Sequence, residues 1–332
     1  MPKSSDIVTN LIPPMVSVII VNFNGGEMIC QCIAALQQQR FRDFSTIVVD
    51  NASSDGSVSL IRERFPLVEI LALDSNCGFA GGINRALRTH ARGPLVALLN
   101  PDAFPAPDWL LNLVEAAANR PEFVAFGSKM FSDDEHQYLD GIGDALHVSG
   151  LPWRQGHGCL NSDRHDHERE IFAPCAAAAL YRLSALESVG LLDEDFFLYV
   201  EDVDLGFRLR LAGHRALYIP HASIRHIGSA LVGRNSNSQI YHGHRNLVWV
   251  YVKNMPGVLF WLFLPMHIAL NLVTLVWFGL RGKGGVIFRA KRDAIAGLPH
   301  YWKKRQSIQS RRKVSIWSIL RQLSWNPFNR CA

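Results

Sequence analysis

From residue 16 onward, hydrophobic and polar positions are organised in alternating blocks. Residues 16–21 (VSVIIV) form a short, β-branched, almost unbroken apolar run. That is the pattern of a strand buried on both faces of a parallel sheet. The spacing predicts a helix over 27–38 and a second strand over 46–50 (TIVVD). Ser53 or Ser54 can cap the next helix, whose apolar face is Val58, Ile61 and Phe65. A third strand is predicted over 68–73, a helix over 79–90 and a fourth strand over 95–99 (LVALL). Asp108 opens another helix, with Leu110, Val114 and Ala117 on one face. Strands alternating with helices predict a doubly wound α/β domain with a mostly parallel sheet. In such sheets ligands bind beyond the carboxyl ends of the strands. The polar clusters fall there: Asn22 and Asn24, Asp50 and Asn51, and Asn100 to Asp102.

After about residue 120 the alternation weakens. Residues 123–131 read as a strand, residues 132–170 are rich in loops, and an apolar patch covers 171–181. A short helix, an acidic cluster, a helix ending near Gly213 and a strand over 215–219 follow. Residues 254–280 contain no Asp, Glu, Lys or Arg, and Pro265 is expected to divide them. The 15 residues after that proline are roughly 22 Å of helix, short of the ~30 Å hydrocarbon core. This favours an in-plane or re-entrant segment over a span, with a buried pair of core helices as the alternative.

Composition changes the picture through where the charge sits. The 332 residues carry 34 Lys+Arg against 29 Asp+Glu, a net charge of +5. Residues 281–332 hold 13 of those bases and one acid, Asp293, so the rest of the chain is acidic. Trp302, Trp317 and Trp325 are interleaved with the bases, as suits an anionic lipid surface. Nucleic acid is the competing partner for such a tail. No nucleic-acid module accompanies it, so none is expected. With 48% hydrophobic residues the chain is not disordered, and six Cys are too few for a disulfide scaffold. The polar start lacks a secretory h-region, which predicts a cytoplasmic body.

Five clusters carry candidate chemistry, each with a plainer alternative. Asp50 can accept a hydrogen bond from the N3–H of a uracil or thymine ring or open an Asx-turn. The glycines within Asn76–Asn84 (NCGFAGGIN) can admit a diphosphate to a helix N-terminus or serve as turn residues. Asp102 in LLNPD can bind a divalent cation through hard oxygen, or belong to a turn made by Pro101. Asp202, opening a helix, can serve as a general base or as a charge at a helix N-terminus. Asp204 and Arg208 are spaced as a structural i, i+4 pair. His226 can complete a metal site or be a structural histidine. His157, Cys159, His165 and His167 match no zinc spacing. Cys30 and Cys32, two apart on a helix, are expected to face different ways.

The order of VSVIIVNFNGG, VVDNASSDGS, NCGFAGGIN, LLNPDA and FFLYVEDVDLGFRLRLAGHRALYIPHASIRHIGS resembles glycosyltransferase family 2, of the GT-A fold, over residues 16–230. It looks most like the rhamnosyltransferase branch that builds bacterial surface polysaccharides. The resemblance implies that Asn22 and Asn24 line the nucleotide pocket, with Asp50 and Asn51 at the base. Gly78, Phe79, Gly81 and Asn84 would hold ribose and diphosphate. Asp102 and His226 would bind Mg²⁺ or Mn²⁺ beside Asn100, and Asp202 would be the catalytic base. The family's usual Asp-x-Asp reads Asn100-Pro101-Asp102 here, so Asp102 carries the charge.

The expected organisation is an N-terminal extension (1–15), a GT-A domain (16–240) and a helical, membrane-associating region with a basic tail (241–332). The implied activity is inverting transfer of a sugar, with L-rhamnose suggested, from a nucleoside-diphosphate sugar to a lipid-linked saccharide. The place is the cytoplasmic face of the inner membrane. A donor such as galactofuranose or a hexose, or a non-catalytic nucleotide-binding subunit, are the alternatives. His242, His244 and Arg245 are candidates to meet the acceptor's phosphates.

Overall fold

A computed structural model describes residues 14–132, 135–228, 236–326 and 331. Most of the expected N-terminal extension lies outside them. The first half follows the predicted alternation: β1 (Val16–Asn22), α1 (Gly26–Gln37), β2 (Phe44–Asp50), α2 (Ser57–Arg64), β3 (Glu69–Ala72), α3 (Gly78–Thr89) and β4 (Leu95–Leu99). A short β5 (Ala103–Pro105) precedes α4 (Trp109–Asn119) and β6 (Ala125–Phe131). Helix α2 starts later than expected, after Gly56 in the left-handed region at φ 79°. Ser53 and Ser54 are drawn away from capping by Asn22 and Asn24.

In the second half the expected short helix, second helix and strand are α5 (Leu183–Ser188), α6 (Glu201–Leu211) and β12 (Ala216–His226), and the apolar patch ends in β11 (Ala178–Arg182). The loop-rich stretch before them contains short strands that periodicity does not reveal: β7 (Leu139–Gly141), β8 (Asp144–Leu146), β9 (Pro152–Arg154) and β10 (Arg169–Ile171). Strands of three residues are too short to show a period. Strand β12 runs past the predicted end at 219, through a register shift that contains Pro220. Proline lacks a donor and belongs at such irregularities. The extension places His226 at the strand's end.

The sheet order is β10-β12-β6-β11-β4-β1-β2-β3, with β5 beside β12 and β7 beside β6. Strands β3, β2, β1 and β4 are parallel, and so are β6 and β12. Strand β11 runs antiparallel between β4 and β6, so the sheet is mixed, though mostly parallel. Alternate residues of β1 feed the two faces. Val16, Val18 and Ile20 pack with α1 and α4, whereas Ile19 and Val21 pack with α3 and α6. Full burial of each such aliphatic side chain stabilises the fold by about 1.5–3 kcal/mol. Cys30 and Cys32 are both buried in the first of these cores, a correction to their expected divergence.

Five helices follow: α7 (Asn237–Asn254), α8 (Gly257–Phe278), α9 (Gly284–Ala296), α10 (Leu298–Ser310) and α11 (Ile316–Gln322). They form a third core with α6, built on Phe196, Phe207, Trp249, Tyr251, Phe260 and Tyr301. Pro265 does not divide α8, which is continuous over 22 residues, roughly 33 Å at 1.5 Å per residue. By length and composition the helical run 257–296 could therefore cross a bilayer. Its packing is a separate matter. Leu259, Phe260, Phe263 and His267 bury one side of α8, while α9 packs on both α7 and α8. Both ends of α8 thus return to the same body. Its other side exposes Trp261, Leu262, Ile268, Leu272, Val273 and Trp277. Near the end of the chain, Cys159 and Cys331 form a disulfide with Cα atoms 5.7 Å apart.

Candidate active site

Beyond the carboxyl ends of β1 and β4 lies a cavity of about 780 Å³. Three groups of side chains give it its chemistry.

The first group is the turn into α3. The Asn76 side-chain oxygen accepts the Gly78 N–H at 2.8 Å, and Asn51 Nδ2 donates to Gly78 O at 3.0 Å. Gly78 has φ +76°, and a Cβ there would stand 2.4 Å from Phe197 O. Only glycine meets both conditions. The next residue, Phe79, donates its N–H to Phe197 O at 2.7 Å and lines the cavity. The N-terminus of α3 therefore faces the cavity with its positive dipole end.

Several neighbours expected to touch the nucleotide do not line this cavity. Asn22 is fully buried and donates to Asp50, Ser53 and Ser57. Asp50 accepts from Asn22 at 2.8 Å and from the Ser53 N–H at 3.0 Å, forming the turn that was its plainer alternative. Asn24 sits at φ 54° and accepts the Ser54 N–H. Asn84 is buried and bonds Leu192 and Glu194, tying α3 to the loop before α6. Gly81 packs against Cys77, where a Cβ would be 2.9 Å from the thiol.

The second group lies where β12 meets the loop after β4. His226 Nε2 is 3.3 Å from Asp102 Oδ1, and Nδ1 is 2.7 Å from Asp140 Oδ2. All three side chains are buried. Arg154 pairs with Asp140, and His157 Nδ1 lies 3.4 Å from the other carboxylate oxygen. Burial alone would raise the Asp140 carboxyl, but Arg154, His157 and His226 outweigh it and hold it well below the usual carboxylate range. Burial likewise opposes protonation of His226, yet its bonds to Asp102 and Asp140 raise it above the ordinary histidine value.

The donor set fits a divalent cation. His226 Nε2 is a buried ring nitrogen without good hydrogen-bond geometry, beside a buried carboxylate oxygen at the cavity wall. Oxygen and imidazole ligands of this kind suit Mg²⁺ or Mn²⁺. A different trio, Asp144, Cys175 and Asp202, also brings potential ligand atoms within 4.8 Å of one another. Burial pushes the Cys175 thiol far up, so it stays protonated, which makes it a poor partner for a hard cation.

That trio forms the third group. Asp202 lies in the first turn of α6, where Oδ1 accepts the Val203 N–H at 2.8 Å and Oδ2 the Ala176 N–H at 3.3 Å. Both contacts and the helix N-terminus hold the carboxylate in place at the cavity wall. Burial, followed by the charge of Asp202, raises Asp144 well above the usual range. The expected Asp204–Arg208 pair is present at 2.8 Å and is buried rather than superficial.

Asp140, Asp144, Arg154 and His157 line the cavity without being marked as site residues in the sequence. They come from the short strands β7, β8 and β9 and the loop after them, where no period or motif marks them. Of the residues considered for acceptor phosphates, His244 lines the cavity. Burial, followed by Arg245 for His242 and Lys291 for His244, lowers both imidazoles to about 4, so they are neutral at physiological pH. Arg245 is already committed, donating to Asp195 O and Phe196 O and covering the Trp249 ring at 4.1 Å. Of these three residues, His244 alone lines this cavity.

Comparison with known proteins places the family and the fold. The pattern of "Glycosyl transferase family 2" matches residues 17–190. The chain is 28% identical over 249 residues to an N-acetylglucosaminyl-diphospho-decaprenol L-rhamnosyltransferase of Mycobacterium tuberculosis, covering 69% of this chain and 81% of that protein. It is 28% identical over 225 residues to the O-antigen biosynthesis protein RfbC of Myxococcus xanthus, covering 65% of this chain and 18% of that much longer one. Among solved structures it resembles a mannosyltransferase from Pyrobaculum calidifontis in complex with GDP-Man and Mn²⁺. That match has a TM-score of 0.54 at 19% identity, covering 96% of this chain and 89% of that one. A structure of GalNAc-T7 with UDP, GalNAc and Mn²⁺ gives a TM-score of 0.58 at 14% identity, covering 74% of this chain and 48% of that one. These two likenesses carry the fold alone. Together with the match over residues 17–190, they make the chain a member of glycosyltransferase family 2 built on the GT-A fold.

Proposed function

We propose that this glycosyltransferase moves a sugar, with L-rhamnose the leading choice, from a nucleoside-diphosphate donor to a lipid-linked saccharide in cell-surface polysaccharide synthesis. One observation carries the reading. Asp202 shares a single cavity with the α3 N-terminus and the Asp102–His226 pair. A base thus faces the site where a diphosphate would leave. The rhamnose assignment and the lipid-linked acceptor draw on the mycobacterial relative's name.

In the proposed reaction, a carboxylate oxygen of Asp202 takes the proton of an acceptor hydroxyl. The acceptor's hydroxyl oxygen, freed of its proton, attacks the anomeric carbon from the face opposite the nucleotide. The bond between that carbon and the diphosphate oxygen breaks, and the configuration inverts. Asn51 and Asn76 hold the Gly78 turn so that the α3 N-terminus meets the departing negative charge. Asp102 and His226 would hold Mg²⁺ or Mn²⁺, which when bound neutralises diphosphate charge. Arg154 faces Asp140, Asp144 and Asp202 and balances an otherwise acidic wall.

The exposed apolar side of α8 supports peripheral attachment at the cytoplasmic face of the membrane. Phe278, at the end of α8, also lines the cavity, so the site and the apolar surface adjoin. This arrangement suits an acceptor whose lipid stays in the bilayer while its sugar enters the site.

The test is incubation of the full chain with Mn²⁺ or Mg²⁺, a panel of nucleoside-diphosphate sugars including dTDP-rhamnose, and a polyprenyl-diphosphate N-acetylglucosamine acceptor. Mass spectrometry of the lipid product should show the added deoxyhexose. Transfer of a different sugar would replace the rhamnose assignment. No transfer from any donor would favour a non-catalytic nucleotide-binding subunit.

A further inference from the structure

The segment between α5 and α6 holds four non-glycine residues at positive φ: Leu191 (63°), Phe197 (62°), Tyr199 (67°) and Val200 (70°). Three of them fall within four residues, immediately before Glu201 and Asp202. Phe197 has φ 62° and ψ −62°, and the Leu198 N–H reaches Phe196 O at 2.7 Å. That is a γ-turn of the rare form with positive φ. Val200 is β-branched, which makes its left-handed conformation a true outlier. Such a loop persists only where its surroundings over-determine it, and clustered strain of this kind is typical of functional sites.

The residue that over-determines it is Asn246, on α7. Its side chain is fully buried, and Nδ2 lies 2.9 Å from Phe196 O, 2.9 Å from Leu198 O and 2.8 Å from Tyr199 O. An amide NH₂ has two hydrogens, so three carbonyls share them. The acceptors fix the orientation of the amide, because an oxygen in the Nδ2 position would face three carbonyl oxygens. Asn246 Oδ1 in turn accepts from Arg245 Nε at 3.0 Å. Arg245 Nη2 adds bonds to Asp195 O and Phe196 O at 3.1 and 3.2 Å. Two consecutive side chains of α7 therefore gather four backbone carbonyls of one strained loop.

That loop touches both halves of the cavity. Phe197 O accepts the Phe79 N–H, and Phe197 closes over Gly78, fixing the turn that opens α3. Val200 is the N-cap of α6, one turn of which carries Asp202. We infer that Asn246 is a positioning residue. By holding residues 196–200 in their strained form, it sets the placement of Asp202 relative to the donor-binding turn. It lies on a helix beyond the residues that match the family and does not line the cavity. The inference rests on the proposed reaction, in which Asp202 is the base. Asp at this position would set a carboxylate against three carbonyls, and Leu would remove the donor that the three share.

The test compares full-length wild type, Asn246→Ala and a core control, Leu36→Ala in α1, chosen for a similar loss of Tm. Three quantities are measured well below each Tm: hydrogen exchange of amides 79 and 196–200, affinity for nucleoside diphosphate, and kcat with the best donor. For Asn246→Ala, exchange at these amides should rise and kcat should fall by roughly 10²-fold, the scale of a small misplacement of reacting groups. Nucleotide affinity should stay within about threefold, which separates placement from binding. Leu36→Ala should leave those amides protected and kcat near wild type. An unchanged kcat in Asn246→Ala, or an equal kcat loss in Leu36→Ala, overturns the inference. If Asn246→Ala does not fold, Asn246→Ser, which keeps one donor, is read in the same way. Should wild type transfer no sugar at all, the proposed function fails. The exchange data then still decide whether Asn246 holds the loop.

Discussion

Asp140 precedes His226 by 86 residues in the chain, yet its Oδ2 lies 2.7 Å from His226 Nδ1. The carboxylate accepts the Nδ1–H, which orients the ring so that Nε2 points toward the Asp102 side of the cavity. Supports of this kind usually carry 10–100-fold in metal affinity. Asp140→Asn should therefore weaken Mn²⁺ binding by about that factor in titration calorimetry with nucleoside diphosphate present. His226→Ala should weaken it further. Equal Mn²⁺ affinity in wild type and Asp140→Asn would remove Asp140 from this role.

Asp202→Asn keeps the size of the side chain and one acceptor oxygen for the Val203 N–H at the α6 N-terminus, but it gives up the second acceptor, which meets the Ala176 N–H, together with the basicity of the carboxylate. Transfer should fall by about 10²–10⁴-fold, the usual contribution of a positioned base. Nucleotide binding, measured by thermal shift, should persist. If transfer remains near normal, the base is another group, and Asp144 becomes the first to test. Burial, followed by the charge of Asp202, raises the Asp144 carboxyl above the usual carboxylate range.

The parallel half of the sheet was legible because each strand is a buried apolar run and each helix has a face. Residues 95–99 match β4 without adjustment, and α3 and α4 shift by one residue. Asp102, Asp202 and His226 were legible as motif residues, and all three line the cavity. Asn22, Asp50 and Asn84 are legible as motif residues at strand ends and a helix start, and the structure adds what their motifs do not spell out, the turns and loop ties that use their hydrogen bonds. Asp140, Asp144 and Arg154 sit on three-residue strands, too brief for any period to mark. Pro265 was given the power to break a helix that packing on the body holds together.

Gly78→Ala tests the turn that opens α3. The new Cβ would stand 2.4 Å from Phe197 O, at a φ of +76° that L-residues avoid. Relief requires moving the loop that leads to Asp202. Backbone strain of this type costs about 1–3 kcal/mol, before any displacement of Phe197. Chemical denaturation should show a loss of at least that order, and donor affinity should fall with it. Wild-type stability and affinity in Gly78→Ala would mean that the turn adapts freely.

His267 gives the fold an acid-sensitive element away from the cavity. Its ring stacks on Tyr251 with centroids 4.0 Å apart, and Nδ1 lies 2.8 Å from Ser149 O. Burial lowers the imidazole from its ordinary 6.5 to about 4. The folded chain thus keeps it neutral where the unfolded chain takes up a proton. Its contribution is complete above pH 6.5 and is lost as pH falls toward about 4. At 1.36 kcal/mol per pKa unit the loss is on the order of 3 kcal/mol. His267→Asn, which keeps a donor for Ser149 O, should flatten the decline in stability between pH 6.5 and 4.5. An unchanged decline would assign it to other groups, His242 and His244 first.

The outer side of α8 exposes Trp261, Leu272, Val276 and Trp277, and Leu280 follows in the turn at 84% exposure. A soluble body rarely leaves so long an apolar strip facing water. Basic residues adjoin it: Arg281 covers the Trp277 ring at 4.0 Å, and Lys283 is two residues further on. Apolar side chains with aromatic and cationic neighbours fit insertion into the headgroup region of an anionic leaflet. Trp261→Ser with Trp277→Ser should therefore weaken sedimentation with phosphatidylglycerol vesicles without lowering Tm, since both side chains lie outside the core. Arg281→Gln with Lys283→Gln should act differently. Each cation near such a surface contributes about 1 kcal/mol, so the pair should cost roughly 30-fold in binding to anionic vesicles. Binding to neutral vesicles should not change, and added salt should abolish the difference. If wild type binds neutral and anionic vesicles equally well, or neither, the apolar strip faces something other than an anionic membrane surface.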